Sequence, residues 1–264
     1  MRRTALITGA SSGIGEAFAE VLAADGYDLV VTARREERLR ALAVRLEAAH
    51  GVQVTVIPMD LGTRAGALRL CEEVDRRGLT IDALVNNAGY GVPGAYIRRS
   101  WEEHAAFLDV MVVSVAALTR HFLPGMLERR FGRIINVASL AGLVPAPAGH
   151  TMYAASKAFL IRFSEALSHE SRHAGVHVTA LCPGFTYSEF HDVTGTRKTV
   201  SKLPSFMWMD SATVARQGYA AVSAGTPVFV TGRVNRLIAF LVRVLPQRLV
   251  TSANARASKA YRSV

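Results

Sequence analysis

An α/β fold, one parallel sheet with helices on both faces, is predicted by three observations. Short apolar runs alternate with helical patterns along most of the chain. Several runs, such as Ala5-Leu6-Ile7 and Leu29-Val30-Val31, are nearly continuous, as expected for strands covered on both faces. The 264 residues include 21 glycines and are half hydrophobic, which suits a sizeable core joined by tight turns.

The strands are expected at residues 4–8, 28–32, 53–58, 83–86, 133–138, 177–182 and 227–230. The helix after the first strand stops at Asp25-Gly26. The next helix repeats its apolar residues at i, i+3, i+4 and i+7 (Leu39, Leu42, Ala43, Leu46), and Gly51 ends it. A longer helix is predicted over 151–172. No repeat or low-complexity linker divides the chain. Residues 1–232 are therefore expected to form a single domain, with 233–264 as a basic, partly apolar extension.

The first strand runs into Thr8-Gly9-Ala10-Ser11-Ser12-Gly13-Ile14-Gly15 and then a helix. In that setting glycines let the backbone approach a pyrophosphate, and the helix N-terminus offers free N–H groups and a positive dipole end. The unit predicts a dinucleotide site, against the plainer reading of a tight turn. The second strand ends Thr32-Ala33-Arg34-Arg35. Where NAD sites carry a ribose-binding acid there is only Ala33, followed by two arginines suited to a 2′-phosphate. NADP(H) is the expected cofactor; the alternative is that Arg34 and Arg35 are solvated residues at a helix start. Glu36 and Glu37 suit the first turn of that helix.

Tyr153 and Lys157 lie four apart on the predicted helix, so both tips can reach one spot. A phenol is a poor acid at neutral pH, and a nearby ammonium lowers its pKa. The pair could donate a proton to a carbonyl or accept one from an alcohol. Any Tyr and Lys can also fall at this spacing by chance.

Taken together these motifs resemble the short-chain dehydrogenase/reductase family over residues 1 to about 232. Thr8 to Gly15 matches TGxxxGxG, Asn86-Asn87-Ala88-Gly89 matches NNAG, Ser139 the catalytic serine, Tyr153 and Lys157 YxxxK, and Pro183-Gly184 the PG turn. The resemblance implies a Rossmann-type doubly wound sheet of about seven strands and hydride transfer with a nicotinamide cofactor. It implies catalytic roles for Ser139, Tyr153 and Lys157. It implies cofactor contacts at Gly9, Ser11, Ser12, Gly13, Ile14, Gly15, Arg34, Arg35, Asp60, Leu61, Asn87, Ala88, Gly89, Tyr153, Lys157, Pro183, Gly184, Thr186 and Ser188. A homodimer or homotetramer through the fourth and fifth helices is also implied.

Two departures stand out. Met111 occupies the position of the family's catalytic Asn, whose carbonyl can hold a water for the lysine. Ser114, a freed backbone carbonyl or a water held by Lys157 alone are the substitutes. The Ser139–Tyr153 spacing is fourteen residues where thirteen is commoner, and the loop between them carries His150, either a pocket residue or ordinary loop polarity. Residues 185–209 carry Phe185, Tyr187, Phe190, Phe206, Met207, Trp208 and Met209 among Arg197, Lys198 and Lys202. They read either as a lid with its own small core or as an apolar pocket with a basic rim, suited to an acyl or lipid-like substrate.

Net charge is +10, and eight basic residues after the last acid, Asp210, supply most of it: Arg216, Arg233, Arg236, Arg243, Arg248, Arg256, Lys259 and Arg262. No nucleic-acid motif or basic–aromatic interleaving accompanies them, so nucleic acid is not an expected partner. Leu237, Ile238, Phe240, Leu241, Val244 and Leu245 suggest a short apolar helix broken at Arg243. It could pack on the domain or a subunit, close the substrate mouth, or lie on an anionic membrane. No apolar run reaches the ~18 to 20 residues of a membrane span. Arg2-Arg3 is not followed by an export-type apolar segment, and Cys71 and Cys182 have no metal-like spacing. The expected place is the cytoplasm, with contact at the inner face of a membrane as an option, and no metal is expected. The leading expectation is an NADP(H)-dependent ketone reductase for an apolar or acyl-chain substrate. The alternatives are a non-enzymatic NADPH-binding sensor or scaffold, and a peripheral membrane protein with weakened chemistry.

Overall fold

A computed structural model describes residues 2–190, 204–246, 248 and 250. Its strands are β1 (Thr4–Thr8), β2 (Asp28–Thr32), β3 (Val54–Val56), β4 (Ala83–Asn86), β5 (Gly132–Val137), β6 (Val176–Cys182), β7 (Phe185–Tyr187), β8 (Trp208–Asp210) and β9 (Val228–Val230). Its helices are α1 (Gly13–Ala24), α2 (Glu36–His50), α3 (Gly66–Arg76), α4 (Trp101–Leu108), α5 (Ser114–Glu128), α6 (Thr151–Ser171), α7 (Ser211–Ser223) and α8 (Arg233–Val244).

Seven strands form one parallel sheet in the order β3-β2-β1-β4-β5-β6-β9. This is the predicted doubly wound Rossmann-type sheet. Alternate strand residues feed two apolar layers. Ala5, Ile7, Leu29, Val31 and Val85 pack under α1, α2 and α7 through Phe18, Leu22, Leu42, Leu46 and Val214. Leu6, Val30, Leu84 and Ile134 face the other way, under α3 and α5, through Leu70, Val74, Leu118 and Phe122. The continuous apolar strands follow from this two-sided burial. Leu39, Leu42, Ala43 and Leu46 are the buried residues of α2, and Gly51 caps it in the left-handed region (φ 63°).

The order of the strands reverses between β1 and β4, and ligands of such sheets bind at the carboxyl ends beside that reversal. Two asparagines brace the region. The Asn86 amide donates to Asn136 Oδ1 (2.8 Å), and the Asn136 amide donates to Ser164 Oγ (2.9 Å), joining β4, β5 and α6 through a buried polar chain.

Three features differ from the sequence-based expectation. Residues 185–187 and 208–210 are short strands, β7 and β8, paired in parallel in a separate two-stranded sheet. Too few residues alternate there for periodicity to mark them. Helices α4 and α5 join through a π-helical turn, Asp109–Val113, into one run from Trp101 to Glu128. By length and composition that run could cross a membrane, although no continuous apolar stretch of that length was expected; here its buried face lies on the sheet. Arg243 does not break α8, which continues to Val244 with the arginine exposed in its last turn.

Candidate active site

The carboxyl ends of the strands open into one cavity of about 690 Å³, within the ~300–1,000 Å³ of ligand sites. Of the residues predicted for the site, all but Gly15 line it: Gly9, Ser11, Ser12, Gly13, Ile14, Arg34, Arg35, Asp60, Leu61, Asn87, Ala88, Gly89, Ser139, Tyr153, Lys157, Pro183, Gly184, Thr186 and Ser188. Their convergence spans more than 170 positions of sequence.

The Gly-rich turn is held from behind. Thr8 Oγ1 accepts the backbone N–H groups of Asn87 (2.9 Å) and Ala88 (3.0 Å), and the Asn87 amide donates to the carbonyls of Thr8 (3.0 Å) and Gly9 (3.2 Å). Gly13, at φ 60°, opens α1, and a Cβ there would come within 3.0 Å of Ser188 Cβ. Ser12 makes no side-chain cap, so the first N–H groups of α1 are left for a ligand. This bare cradle, with exposed Arg34 on its rim, fits the pyrophosphate and adenosine end of a dinucleotide. Gly15 is not among the lining residues. A Cβ there would sit 2.3 Å from the Gly9 carbonyl oxygen and 2.5 Å from Asn87 Nδ2, so its hydrogen lets α1 close against the turn. Asp60 lines the cavity while its Oδ1 accepts the Gly62 N–H (2.9 Å), so part of its carboxylate holds its own loop.

At the other end, Ser139 and Tyr153 line the same stretch of the cavity. Ser139 Oγ accepts the Ala141 N–H (3.1 Å) and lies 3.5 Å from the Pro183 carbonyl. Lys157 is buried, and its ammonium donates to the Val137 carbonyl at 2.7 Å. It stands 5.6 Å from the Tyr153 ring centroid. The expected lowering of the phenol pKa is reversed here. Burial pushes Tyr153 up to about 12, and the Ser139 hydroxyl offsets only part of that. Burial also pulls Lys157 down to about 8, because an ammonium loses hydration there. At neutral pH Tyr153 rests as a protonated phenol, a proton donor rather than an acceptor.

Met111 is 1% exposed and is part of the core. A Cβ on Gly89 would meet its sulfur at 2.9 Å, so the thioether fills space behind the NNAG turn. Ser114 donates to the Val110 carbonyl (2.6 Å), which commits its proton to its own helix. The sequence reading missed Tyr90, Val92, Pro93, Val144 and Pro147, which line the cavity with His150. Their position directly after NNAG and Ser139 was the available signal. Phe185 and Phe190 line it too, and Phe190 stands 5.7 Å from the Tyr153 ring. Tyr187 and Trp208 stack on each other at 4.9 Å and are not among the lining residues. Arg197, Lys198 and Lys202 fall outside the described residues. Among the described residues no group of three or more His, Cys, Asp or Glu could hold a metal ion.

The model of the short chain dehydrogenase family matches residues 3–198. Nodulation protein G of Rhizobium sp. (strain N33) is 36% identical over 236 residues, covering 88% of this chain and 93% of that protein. Ketoacyl reductase HetN of Nostoc sp. is 34% identical over 201 residues, covering 76% and 69%. Among solved structures, a short-chain dehydrogenase from Sphingobium yanoikuyae in complex with NADPH superposes with a TM-score of 0.81 at 30% identity, covering 93% of this chain and 96% of that one. A short-chain dehydrogenase/reductase from Burkholderia phymatum in complex with NAD gives 0.79 at 28%, covering 91% and 92%. Sequence, fold and cavity thus lead to one conclusion: this chain belongs to the short-chain dehydrogenase family of oxidoreductases.

Proposed function

We propose that the chain is an NADPH-dependent ketone reductase acting on an apolar, acyl-chain substrate. The observation that carries this reading is the meeting of Ser139, Tyr153 and Lys157 in a cavity whose far wall is apolar, built from Val92, Pro93, Val144, Pro147 and Phe190. When bound, the nicotinamide supplies the hydride. Ser139 hydrogen-bonds the carbonyl oxygen and stabilises its developing charge. Tyr153 gives that oxygen a proton, for which its protonated resting state is the right one. The Lys157 ammonium steadies the tyrosinate left behind. The N-terminus of α1 and the Gly-rich turn hold the pyrophosphate. Arg34, at the end of β2 beside Ala33, and Arg35 would hold the 2′-phosphate; no described carboxylate lies within salt-bridge distance of Arg34.

The nearness of a ketoacyl reductase among the relatives supports the acyl reading. The test is an NADPH oxidation screen against β-ketoacyl thioesters and simple ketones of graded chain length, with NADH in parallel. Rates should rise with chain length, and kcat/KM with NADPH should exceed that with NADH by at least ~10-fold, one charge-assisted contact's worth. Equal use of both cofactors would overturn the NADPH assignment, and indifference to chain length the acyl one.

A second reading concerns location, on the strength of α8. Leu237, Phe240, Leu241 and Val244 are exposed on it, with Arg236 and Arg243 on the same short helix. An apolar stripe among arginines fits the surface of an anionic membrane, at which the protein would be peripheral. Removing 233–264 would be a poor test, because Asn235 is buried against Gly184 beside the active site. Leu237→Ser/Phe240→Ser should instead abolish flotation on phosphatidylglycerol vesicles while the protein stays folded. Failure of the unaltered protein to float, with a change in oligomer size in the variant, would assign α8 to contact between subunits.

A further inference from the structure

An acidic residue distant in sequence meets the arginines beside the proposed 2′-phosphate site. Glu189 lies in the turn after β7, 154 positions from Arg35. One carboxylate oxygen accepts from Arg35 Nη1 at 2.8 Å and the other from Arg38 Nη1 at 2.6 Å. Arg35 also donates to Ser11 Oγ (3.0 Å) and Ser12 Oγ (2.9 Å) in the Gly-rich turn. The two guanidinium groups hold the Glu189 carboxyl down at about 2, so it is ionised throughout the neutral range. Two guanidinium groups, each on a different oxygen of one anion, also make a good setting for a phosphate. Arg35 and Glu189 both line the cavity, whereas Arg34 has no such partner among the described residues.

We infer that Glu189 is an internal stand-in for the 2′-phosphate: it occupies Arg35 and Arg38 in the cofactor-free chain and gives up Arg35 when a 2′-phosphorylated nucleotide binds. This rests on the NADP(H) reading above. A phosphate monoester carries close to two charges and three acceptor oxygens against one charge and two oxygens for a carboxylate, so it wins the exchange. The pairs are about half exposed and screened by solvent, so displacing them is a modest toll. Ser188 lies against Gly13, and Phe190 stands 5.7 Å from the Tyr153 ring. Glu189 lies between those two residues, so the exchange takes place next to the wall beside Tyr153. A nucleotide without the 2′-phosphate has nothing to offer Arg35 and leaves its pair with Glu189 in place.

The test is calorimetric binding of adenosine 2′,5′-bisphosphate and of 5′-AMP to the full chain and to Glu189→Gln. Neither ligand carries nicotinamide, so no turnover is involved. The Glu189 side chain is 40% exposed, and thermal melting checks that the variant folds. The variant should bind the bisphosphate roughly 5-fold tighter, as loss of a screened surface competitor allows, and 5′-AMP within about 2-fold of the unaltered chain. An equal change for both ligands would mean only a general field effect and would overturn the proposal, as would no change or weaker bisphosphate binding. The underlying reading fails separately: if the unaltered chain binds the bisphosphate no tighter than 5′-AMP and the variant gains no preference, both ideas are lost. If the unaltered chain prefers the bisphosphate and Glu189→Gln leaves that preference alone, only the stand-in is lost.

Discussion

Tyr153→Phe is expected to lose at least ~10²-fold in kcat while binding NADPH as the unaltered chain does, since proton transfer by a placed side chain is worth ~10²–10⁴-fold. The change removes one oxygen. Ser139 keeps its contacts with Ala141 and Pro183, and Lys157 keeps its bond to the Val137 carbonyl, so the fold should hardly respond. Because burial raises its pKa, the phenol keeps its proton at neutral pH and stands in the donor state at the Ser139 end of the cavity. His150 is the other titratable ring there, and burial lowers its pKa, favouring the neutral ring. Steady-state rates together with NADPH binding by fluorescence check the prediction. Full activity in the variant would remove Tyr153 from the chemistry. Joint loss of activity and cofactor binding would point to a structural role instead.

Gly15→Ala should be nearly as damaging, by a different route. The added methyl would fall 2.3 Å from the Gly9 carbonyl oxygen and 2.5 Å from Asn87 Nδ2, both part of the brace behind the Gly-rich turn. Neither is the free end of a flexible chain, because the Asn87 amide already bridges the carbonyls of Thr8 and Gly9. Helix α1 must therefore move off the turn. Overpacking of this kind costs about 1–3 kcal/mol, and in a domain of this size that lowers Tm by roughly 2–4 °C for each kcal/mol. Cofactor affinity should fall as well, because the displaced helix carries the N–H groups that would meet the pyrophosphate. Calorimetric melting with NADPH titration reads both. An unchanged Tm with weakened binding would restore Gly15 to direct contact with the cofactor, the role first expected of it.

Motif positions were legible in the sequence because each motif is local. The Gly-rich turn must follow a strand and open a helix, and it does; Tyr153 and Lys157 are one helical turn apart, and α6 delivers both to the cavity. The strand cores were legible because continuous apolar runs are what two-sided burial selects. Met111 is legible as a departure, but only packing gives it an environment: a buried sulfur behind Gly89 in an apolar layer, within a π-helical turn that spacing alone does not reveal. The short pair β7 and β8 escaped because three-residue strands carry too little pattern.

By itself, then, the sequence determined the doubly wound sheet, the place of the Gly-rich turn and the one-turn spacing of Tyr153 and Lys157. Hydrophobic period, turn residues and motif spacing are all written within a few residues of one another. Only the tertiary structure decided that Gly15 is a packing residue, that Tyr153 rests with its pKa raised rather than lowered, and that Glu189 sits on Arg35 and Arg38. Each of these depends on desolvation or on a contact between distant parts of the chain. Those energies are set by what surrounds a group in space, and residue spacing carries no record of it.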